Sequence, residues 1–101
     1  MNEIKNPKLK CMRKSSGHVK YKVENLDKGY GNTLGNSLKR ILFSALPEYV
    51  HNPVTNVEIS VEDNIDTENL ILEIWTSSLV DPDEVLKSAT NKLKGYLEIF
   101  A

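Results

Sequence analysis

The sequence of 101 residues has little that would tie it to a membrane or to a cross-linked scaffold. Its one cysteine cannot form a disulfide within the chain, which excludes a small secreted fold held by disulfides and a zinc site built from several cysteines. No apolar run approaches the ~20 residues that span a bilayer, and the first ten residues lack the apolar core of a signal peptide. We therefore expect a cytoplasmic protein with one domain over residues 1–101 and no membrane partner.

Positive and negative charges occupy different parts of the chain, although the net charge is only −1. Residues 1–22 carry seven Lys and Arg against one acidic residue, Glu3, whereas residues 48–84 carry ten Asp and Glu and no Lys or Arg. The asymmetry could orient an encounter between proteins, or it could reflect antiparallel strands that pair a basic edge with an acidic one. A nucleic-acid surface is disfavoured, because the pI is near 6.1 and few aromatic residues accompany the lysines.

Alternating residues predict three strands, and an apolar run predicts a fourth. Residues 18–24 alternate strictly, residues 8–13 alternate more weakly, and Ser15-Ser16-Gly17 between them is typical of a hairpin turn. Residues 57–62 alternate again. Residues 70–76 are apolar on both faces except at Glu73, which predicts a central or covered strand.

Two helices are predicted from apolar residues at helical spacing. The first covers 33–46 and stops at Pro47, with Asn32 or Thr33 as its cap and with Phe43 on the face opposite its apolar stripe. The second covers 82–100, with Asp81 as N-cap and Pro82 at its first position. Its stripe is wider than one sheet face usually covers, which predicts burial against a second body.

The order of elements is therefore β-β-α-β-β-α. We predict a two-layer α+β fold in which two helices lie on one face of a four-stranded antiparallel sheet.

The residue types needed for catalysis or metal binding are not grouped in the sequence. His18, His51 and Cys11 have no nearby partner, so surface histidines and a small buried cysteine are expected. Asp63, Asp66 and Glu68 lack the calcium-loop pattern and indicate a solvated loop. We therefore expect no catalytic residues, no metal and no cofactor.

The glycine-rich segment from Gly29 to Gly35 is the nearest approach to a ligand motif. Its pattern, G-x-G-x-x-x-G, is one residue longer than the dinucleotide fingerprint and lacks the Lys-Ser/Thr of a phosphate loop. A nucleotide- or small-ligand-binding domain stays open as a remote alternative. The plainer interpretation is that Gly29 and Gly31 permit a sharp turn from strand to helix, and that Gly35 allows another backbone to approach.

Residues 29–47, GYGNTLGNSLKRILFSALP, closely resemble the first helix of the N-terminal domain of the bacterial RNA polymerase alpha subunit, where the family typically has G-[FY]-G-x-T-L-G-N-[SA]-L-R-R-I-L-L-S-S-[LM]-P. Residues 52–57 resemble the segment in which proteins of that family re-enter the dimerisation domain. Residues 70–75 and 81–100 resemble the last strand and helix of that domain. The resemblance covers almost the whole chain and implies a non-catalytic assembly module with the fold predicted above.

The resemblance also implies a dimer, either of two copies or of this chain with a full-length alpha subunit, in which the helices of each subunit pack against those of the partner. The dimer-interface residues that it implies are Leu34, Leu38, Ile41, Leu42, Phe43, Leu46, Leu86, Leu93, Tyr96, Leu97 and Phe100. It implies further that Asn36, Lys39 and Arg40 contact the polymerase beta subunit. Arg40 matches the second arginine of the family, while Lys39 replaces the first and lacks its planar, bidentate pairing.

One departure from the family is large. The family inserts a second domain after the Leu-Pro of the first helix, whereas here residues 48–51 alone separate Pro47 from Asn52. The C-terminal DNA-binding domain of the family is absent too, so no direct DNA contact is expected. The plan is similar to that of the small dimerisation subunits of archaeal and eukaryotic polymerases. A regulatory decoy, which pairs with full-length alpha and alters polymerase assembly, remains the alternative function.

Overall fold

Two strands, a helix, two strands and a helix follow one another in the computed structural model, which describes residues 6–77 and 79–101. Glu3 and Lys5, counted above in the basic segment, lie outside these residues. The elements are β1 (Lys8–Ser15), β2 (His18–Leu26), α1 (Tyr30–Leu42), β3 (Val54–Asp63), β4 (Glu68–Thr76) and α2 (Pro82–Glu98). The predicted α+β order is confirmed.

The four strands form one antiparallel sheet in the order β1-β2-β4-β3. The strand that is apolar on both faces, β4, lies between β2 and β3, as its composition predicted. Across it, Val19 of β2 pairs with Ile74, and Ile59 of β3 pairs with Leu72.

Both helices pack on the face of the sheet that carries the small and branched apolar residues of β2, β3 and β4. The buried core consists of Val19, Leu42, Leu46, Val57, Leu72, Ile74, Val85 and Ala89. At ~25 cal/mol per Å² of buried apolar surface, such residues supply most of the favourable free energy of a domain of this size.

The first helix begins and ends earlier than predicted. It begins at Tyr30 after Gly29, whose φ of 89° lies in the left-handed region, and it ends at Leu42 rather than at residue 46. The predicted cap at Asn32 or Thr33 is wrong: both residues lie inside the helix, and the Thr33 hydroxyl donates to the Gly29 carbonyl at 3.1 Å. Leu46 is buried even though it lies after the end of the helix. The apolar pattern in the sequence therefore continues past the last helical residue, which made the predicted helix too long.

The strand β1 lies at the edge of the sheet, and all eight of its residues are exposed. Its register with β2 shifts between Cys11 and Arg13, which is a bulge of the kind that protects an exposed edge from pairing with other chains. The expectation that Cys11 is buried is therefore wrong, because an edge strand beyond the cover of the helices leaves its side chains in solvent.

Ion pairs join a basic residue of β2 and one in the loop after it to acidic residues at the end of β3. Lys22 lies 3.1 Å from Glu62, and Lys28 lies 3.2 Å from Asp63. The basic strand β1 pairs with β2, which is basic as well, so the pairing of strands of opposite charge explains the segregation only in part. The hydrogen bond from the Lys22 ammonium to the Glu62 carboxylate lowers the pKa of that carboxyl.

His18 is half-buried rather than a free surface histidine. Its Nε2 lies 2.8 Å from Glu73 Oε2, and its ring centroid lies 4.9 Å from that of Trp75. In the described ranges, no three or more His, Cys, Asp or Glu side chains come together where a metal ion could be held. Neither helix there is long and apolar enough to cross a bilayer.

Candidate functional site

The apolar stripe of α2 divides into a buried first half and an exposed second half. Val85 and Ala89 are completely buried in the core. Leu97 is 60% exposed and Phe100 is 88% exposed, and Tyr96 and Ile99 are exposed as well. The helix therefore extends beyond the body of its own protomer and presents bare apolar side chains over its last two turns.

The N-terminal end of α2 is fixed by its own first turn and by the β1–β2 hairpin. Asp81 Oδ1 accepts a hydrogen bond from the Asp83 amide at 2.9 Å, which confirms the predicted cap. The Asp83 carboxylate in turn accepts from the Tyr21 hydroxyl and pairs with Lys14. The hydrogen bond to Asp83 raises the pKa of the Lys14 ammonium.

One further residue ties the middle of α2 to the end of α1. Lys92 Nζ donates to Ser44 Oγ at 2.9 Å and to the Ala45 carbonyl at 2.6 Å. Ser44 and Ala45 follow α1, which ends at Leu42, so Lys92 joins α2 to the first residues of the connector between α1 and β3. Since α2 is held from Asp81 to Lys92, the exposed turns that follow project from a fixed support.

The predicted dimer residues fall into three groups. Leu42 and Leu46 are buried in the protomer core, so their assignment to a surface contact is corrected: their side chains stabilise the fold. Leu38, Ile41 and Leu86 are half-buried against that core, and Leu34 and Leu93 are half-buried too. The exposed group is Phe43, Tyr96, Leu97 and Phe100.

Phe43 does not share a flank of α1 with the half-buried leucines. At ~100° per residue, Leu34 and Ile41 lie within ~20° of each other, and Phe43 lies ~160° away from Ile41. Asn36 and Lys39 lie on the flank of Phe43, within ~40° of it. Asn36, Lys39 and Arg40 are all exposed. We call the exposed set of Asn36, Lys39, Arg40 and Phe43 the outer patch of α1.

The start of α1 is held close to the sheet by two glycines. The Gly31 amide donates to Glu68 Oε2 at 2.7 Å, and a Cβ at Gly31 would lie 2.6 Å from that oxygen. A Cβ at Gly35 would lie 2.9 Å from Leu70 Cδ1 and 3.1 Å from Ile59 Cδ1. Of the three glycines in this segment, Gly29 has the positive φ expected for a turn, while Gly31 and Gly35 allow close packing against side chains rather than against another backbone.

The same contact argues against a phosphate site at the start of α1. A helix N-terminus binds anions because its first amides point outward and have no partner within the helix. Here the buried carboxylate of Glu68 already accepts the hydrogen bond from the Gly31 amide. The same carboxylate would repel a phosphate. The sheet is also antiparallel, unlike that of a dinucleotide-binding unit.

The connector between α1 and β3 is closed by its own hydrogen bonds. Asn52 Nδ2 donates to the Leu42 and Ser44 carbonyls at 2.7 Å each, and Asn52 Oδ1 accepts from the Val54 amide at 2.8 Å. Glu48 accepts from the Ser88 hydroxyl of α2. Sequence reasoning missed the roles of Asn52 and Glu68 because each depends on a contact with a different element.

Comparison with known proteins agrees with this geometry. The family described as the RNA polymerase Rpb3/Rpb11 dimerisation domain matches residues 24–97. That match begins inside β2 and runs through α1, β3 and β4 to the last turns of α2.

Bacterial proteins are similar over about half of the chain. The DNA-directed RNA polymerase subunit alpha of Desulfitobacterium hafniense is 48% identical over 61 residues, which cover 58% of this chain and 18% of that subunit. The subunit of the same name from Clostridium kluyveri is 51% identical over 49 residues, which cover 46% of this chain and 16% of that subunit. The chain thus matches less than a fifth of the length of these relatives.

Proposed function

This chain belongs to the RNA polymerase Rpb3/Rpb11 dimerisation domain family, and we propose that it is a non-catalytic module that pairs with a second alpha-type chain in the assembly of RNA polymerase. The partner is a second copy of the chain or a full-length alpha subunit. The observation that carries the proposal is the exposed apolar end of α2, held out from the core by the contacts of Asp81 and Lys92. A cytoplasmic location is part of the same proposal.

The proposed pairing surface combines the exposed end of α2 with the half-buried flank of α1. Burial of an exposed Leu or Phe side chain contributes roughly 1.5–3 kcal/mol, so several of them can offset the cost of association. The residues proposed to line it are Leu34, Ile41, Leu86, Leu93, Tyr96, Leu97, Ile99 and Phe100.

We propose that the outer patch of α1 contacts a large polymerase subunit of the beta type. Lys39 and Arg40 are exposed cations, and Phe43 adds an exposed aromatic ring beside them. Charged groups around an apolar anchor are typical of a contact between proteins. The patch is separate from the pairing flank of Leu34 and Ile41, so both partners could bind at once.

Sedimentation of a surface variant tests the pairing. Leu97→Asp puts a charge on the proposed surface without entering the core, because Leu97 is 60% exposed. We expect a folded monomer where the unmodified chain is a dimer. Ile65→Asp is the matched control, since Ile65 is 94% exposed in the β3–β4 loop, and it should stay dimeric. A Leu97→Asp variant that remains fully dimeric would refute this surface.

A pull-down with a purified bacterial beta subunit tests the outer patch. We expect Arg40→Ala to lower the recovery of beta, and Lys39→Arg to raise it because a guanidinium can pair bidentately. Both substitutions lie on the exposed side of α1 and should leave the dimer intact. Equal recovery of beta by Arg40→Ala and the unmodified chain would exclude Arg40 from the contact.

A further inference from the structure

A groove lies between α2 and the first two strands, on the same face of the sheet as the helices. Leu9 of β1 and Tyr21 of β2 line one side, and Leu86 and Thr90 of α2 line the other. Leu9 is 62% exposed, while Tyr21 and Leu86 are half-buried. Asp83, Lys87 and Asn91 of α2 complete the lining, so the groove is an open concavity that combines apolar and polar side chains.

The side of α2 that borders this groove carries a regular apolar seam. Leu86, Thr90, Leu93, Leu97 and Phe100 are spaced by 4, 3, 4 and 3 residues, which is the a/d pattern of a helix that packs along another helix. The Phe100 amide donates to the Leu97 carbonyl at 3.1 Å, so a tighter turn carries the chain from the end of α2 at Glu98 to Phe100. The seam runs about 21 Å from the groove at Leu86 to the exposed ring of Phe100.

The seam is nearly symmetric about its middle residue. Leu86 and Phe100 each lie seven residues from Leu93. If two α2 helices pack antiparallel about a two-fold axis at Leu93, each Phe100 lies opposite the Leu86 of the other copy. An isologous contact of this kind uses one self-complementary surface on both subunits.

We propose that the groove receives the Phe100 end of α2 from a second copy of the chain, and that the second copy fills both grooves reciprocally. This inference rests on the proposed pairing function and adds the sheet residues Leu9 and Tyr21 to the interface. It explains why α2 projects beyond its own core while the groove at its other end stays open.

Charges at the two ends of the seam favour the same arrangement. Lys87, which lies 3.6 Å from Glu84 of the same helix, lines the groove, and Glu98 lies two residues before Phe100. In the antiparallel pairing Glu98 of one copy lies opposite residue 88 of the other, next to Lys87. A parallel pairing would instead place Lys87 near Lys87, where like charges repel.

A charge-exchange cycle measured by sedimentation equilibrium tests the proposal. Phe100→Asp and Leu9→Lys alter exposed residues, so both variants should fold. We expect each change alone to raise the dimer dissociation constant at least about tenfold, because a charge then faces an apolar surface. The double variant should recover most of that loss, since the introduced carboxylate of one copy meets the introduced ammonium of the other.

The outcomes separate the inference from the function on which it rests. Ile65→Asp is again the matched control and should leave the dissociation constant unchanged. Suppose that the unmodified chain is a dimer, but that the dissociation constant of the double variant is raised by the product of the two single-variant factors. The groove contact is then overturned and the pairing proposal stands. If the unmodified chain alone is a monomer at every concentration, reciprocal filling by a second copy is overturned, and only pairing with a full-length alpha subunit is left to test.

Discussion

The backbone amide of Gly31 donates a hydrogen bond to the side chain of Glu68, 2.7 Å away and 37 residues further along the chain. Gly29, at the N-cap, has no side chain that could accept from the first amides of α1. A buried carboxylate from β4 takes that role and also complements the positive end of the helix dipole. The contact therefore fixes the position of the first turn of α1 relative to the sheet. The two candidate binding flanks of α1 are positioned with it.

Gly31→Ala should destabilise the fold although alanine favours helices. The new Cβ would lie 2.6 Å from Glu68 Oε2 and 3.0 Å from Val61 Cγ2, which costs about 1–3 kcal/mol of unfolding free energy. Gly95→Ala is the matched control: nothing lies within 4 Å of its Cβ, and we expect a gain of about 0.5–1 kcal/mol. Urea unfolding at one protein concentration measures both, and equal effects would contradict the steric argument.

Glu68→Ala should cost about 1.5–3 kcal/mol, because it leaves the buried Gly31 amide without its charged acceptor. Glu68→Gln keeps an acceptor and should cost less. In the Glu68→Ala background, Gly31→Ala should become less harmful, since the oxygen nearest to its Cβ is gone. Strictly additive effects in urea unfolding would show that the two residues are not coupled.

Much of the fold follows from short-range pattern. Alternation predicted three strands and an apolar run predicted β4, and the Asp81-Pro82 pair predicted the start of α2 at the residue where it occurs. The resemblance covers residues that the family match also covers. What failed depended on distant residues: the start of α1 rests on Glu68, and the burial of Leu42 and Leu46 rests on the packing of α2 across them.

The candidate site was only partly predictable for the same reason. An apolar stripe does not tell which of its residues face the protein's own sheet and which extend past it. The structure divides the stripe of α2 at about Leu93, with Ala89 buried before it and Leu97 exposed after it. The position of Leu9 in a groove could not be predicted from the sequence, because β1 alternates weakly and the other side of the groove is formed by α2.

Leu42→Asp should unfold the protomer rather than separate a folded dimer. Leu42 is 0% exposed. The free-energy cost of burying an unpaired carboxylate there exceeds the free energy of unfolding of a domain of this size. Loss of the far-ultraviolet circular dichroism signal at 25 °C is the expected result. A folded monomeric Leu42→Asp variant would place Leu42 at the interface after all.

Asn52→Ala should destabilise the chain by about 2–3 kcal/mol, because two carbonyls at the end of α1 and the Val54 amide each lose a partner. The neighbouring His51→Ala is a suitable control, since His51 is exposed and its loss should change stability by less than about 0.5 kcal/mol. Thermal unfolding of the two variants at equal concentration gives the comparison. Similar melting temperatures would mean that water replaces the Asn52 contacts.

The Lys22–Glu62 pair should make stability fall in acid. The pKa of Glu62 is lowered from 4.5 in the folded state, so its contribution is present above that value and is lost as the pH falls through the folded pKa. Glu62→Gln removes this contribution, and the difference in stability between it and the unmodified chain should shrink below about pH 4.5. Urea unfolding over a pH series checks this, and a constant difference would contradict it.

Sedimentation equilibrium of the purified chain, alone and mixed with a full-length bacterial alpha subunit, tests the central claim most directly. We predict a species of twice the 11.4 kDa chain mass, or a one-to-one complex with alpha, and loss of either in Leu97→Asp. A folded chain that stays at 11.4 kDa at all concentrations and does not associate with alpha would contradict it.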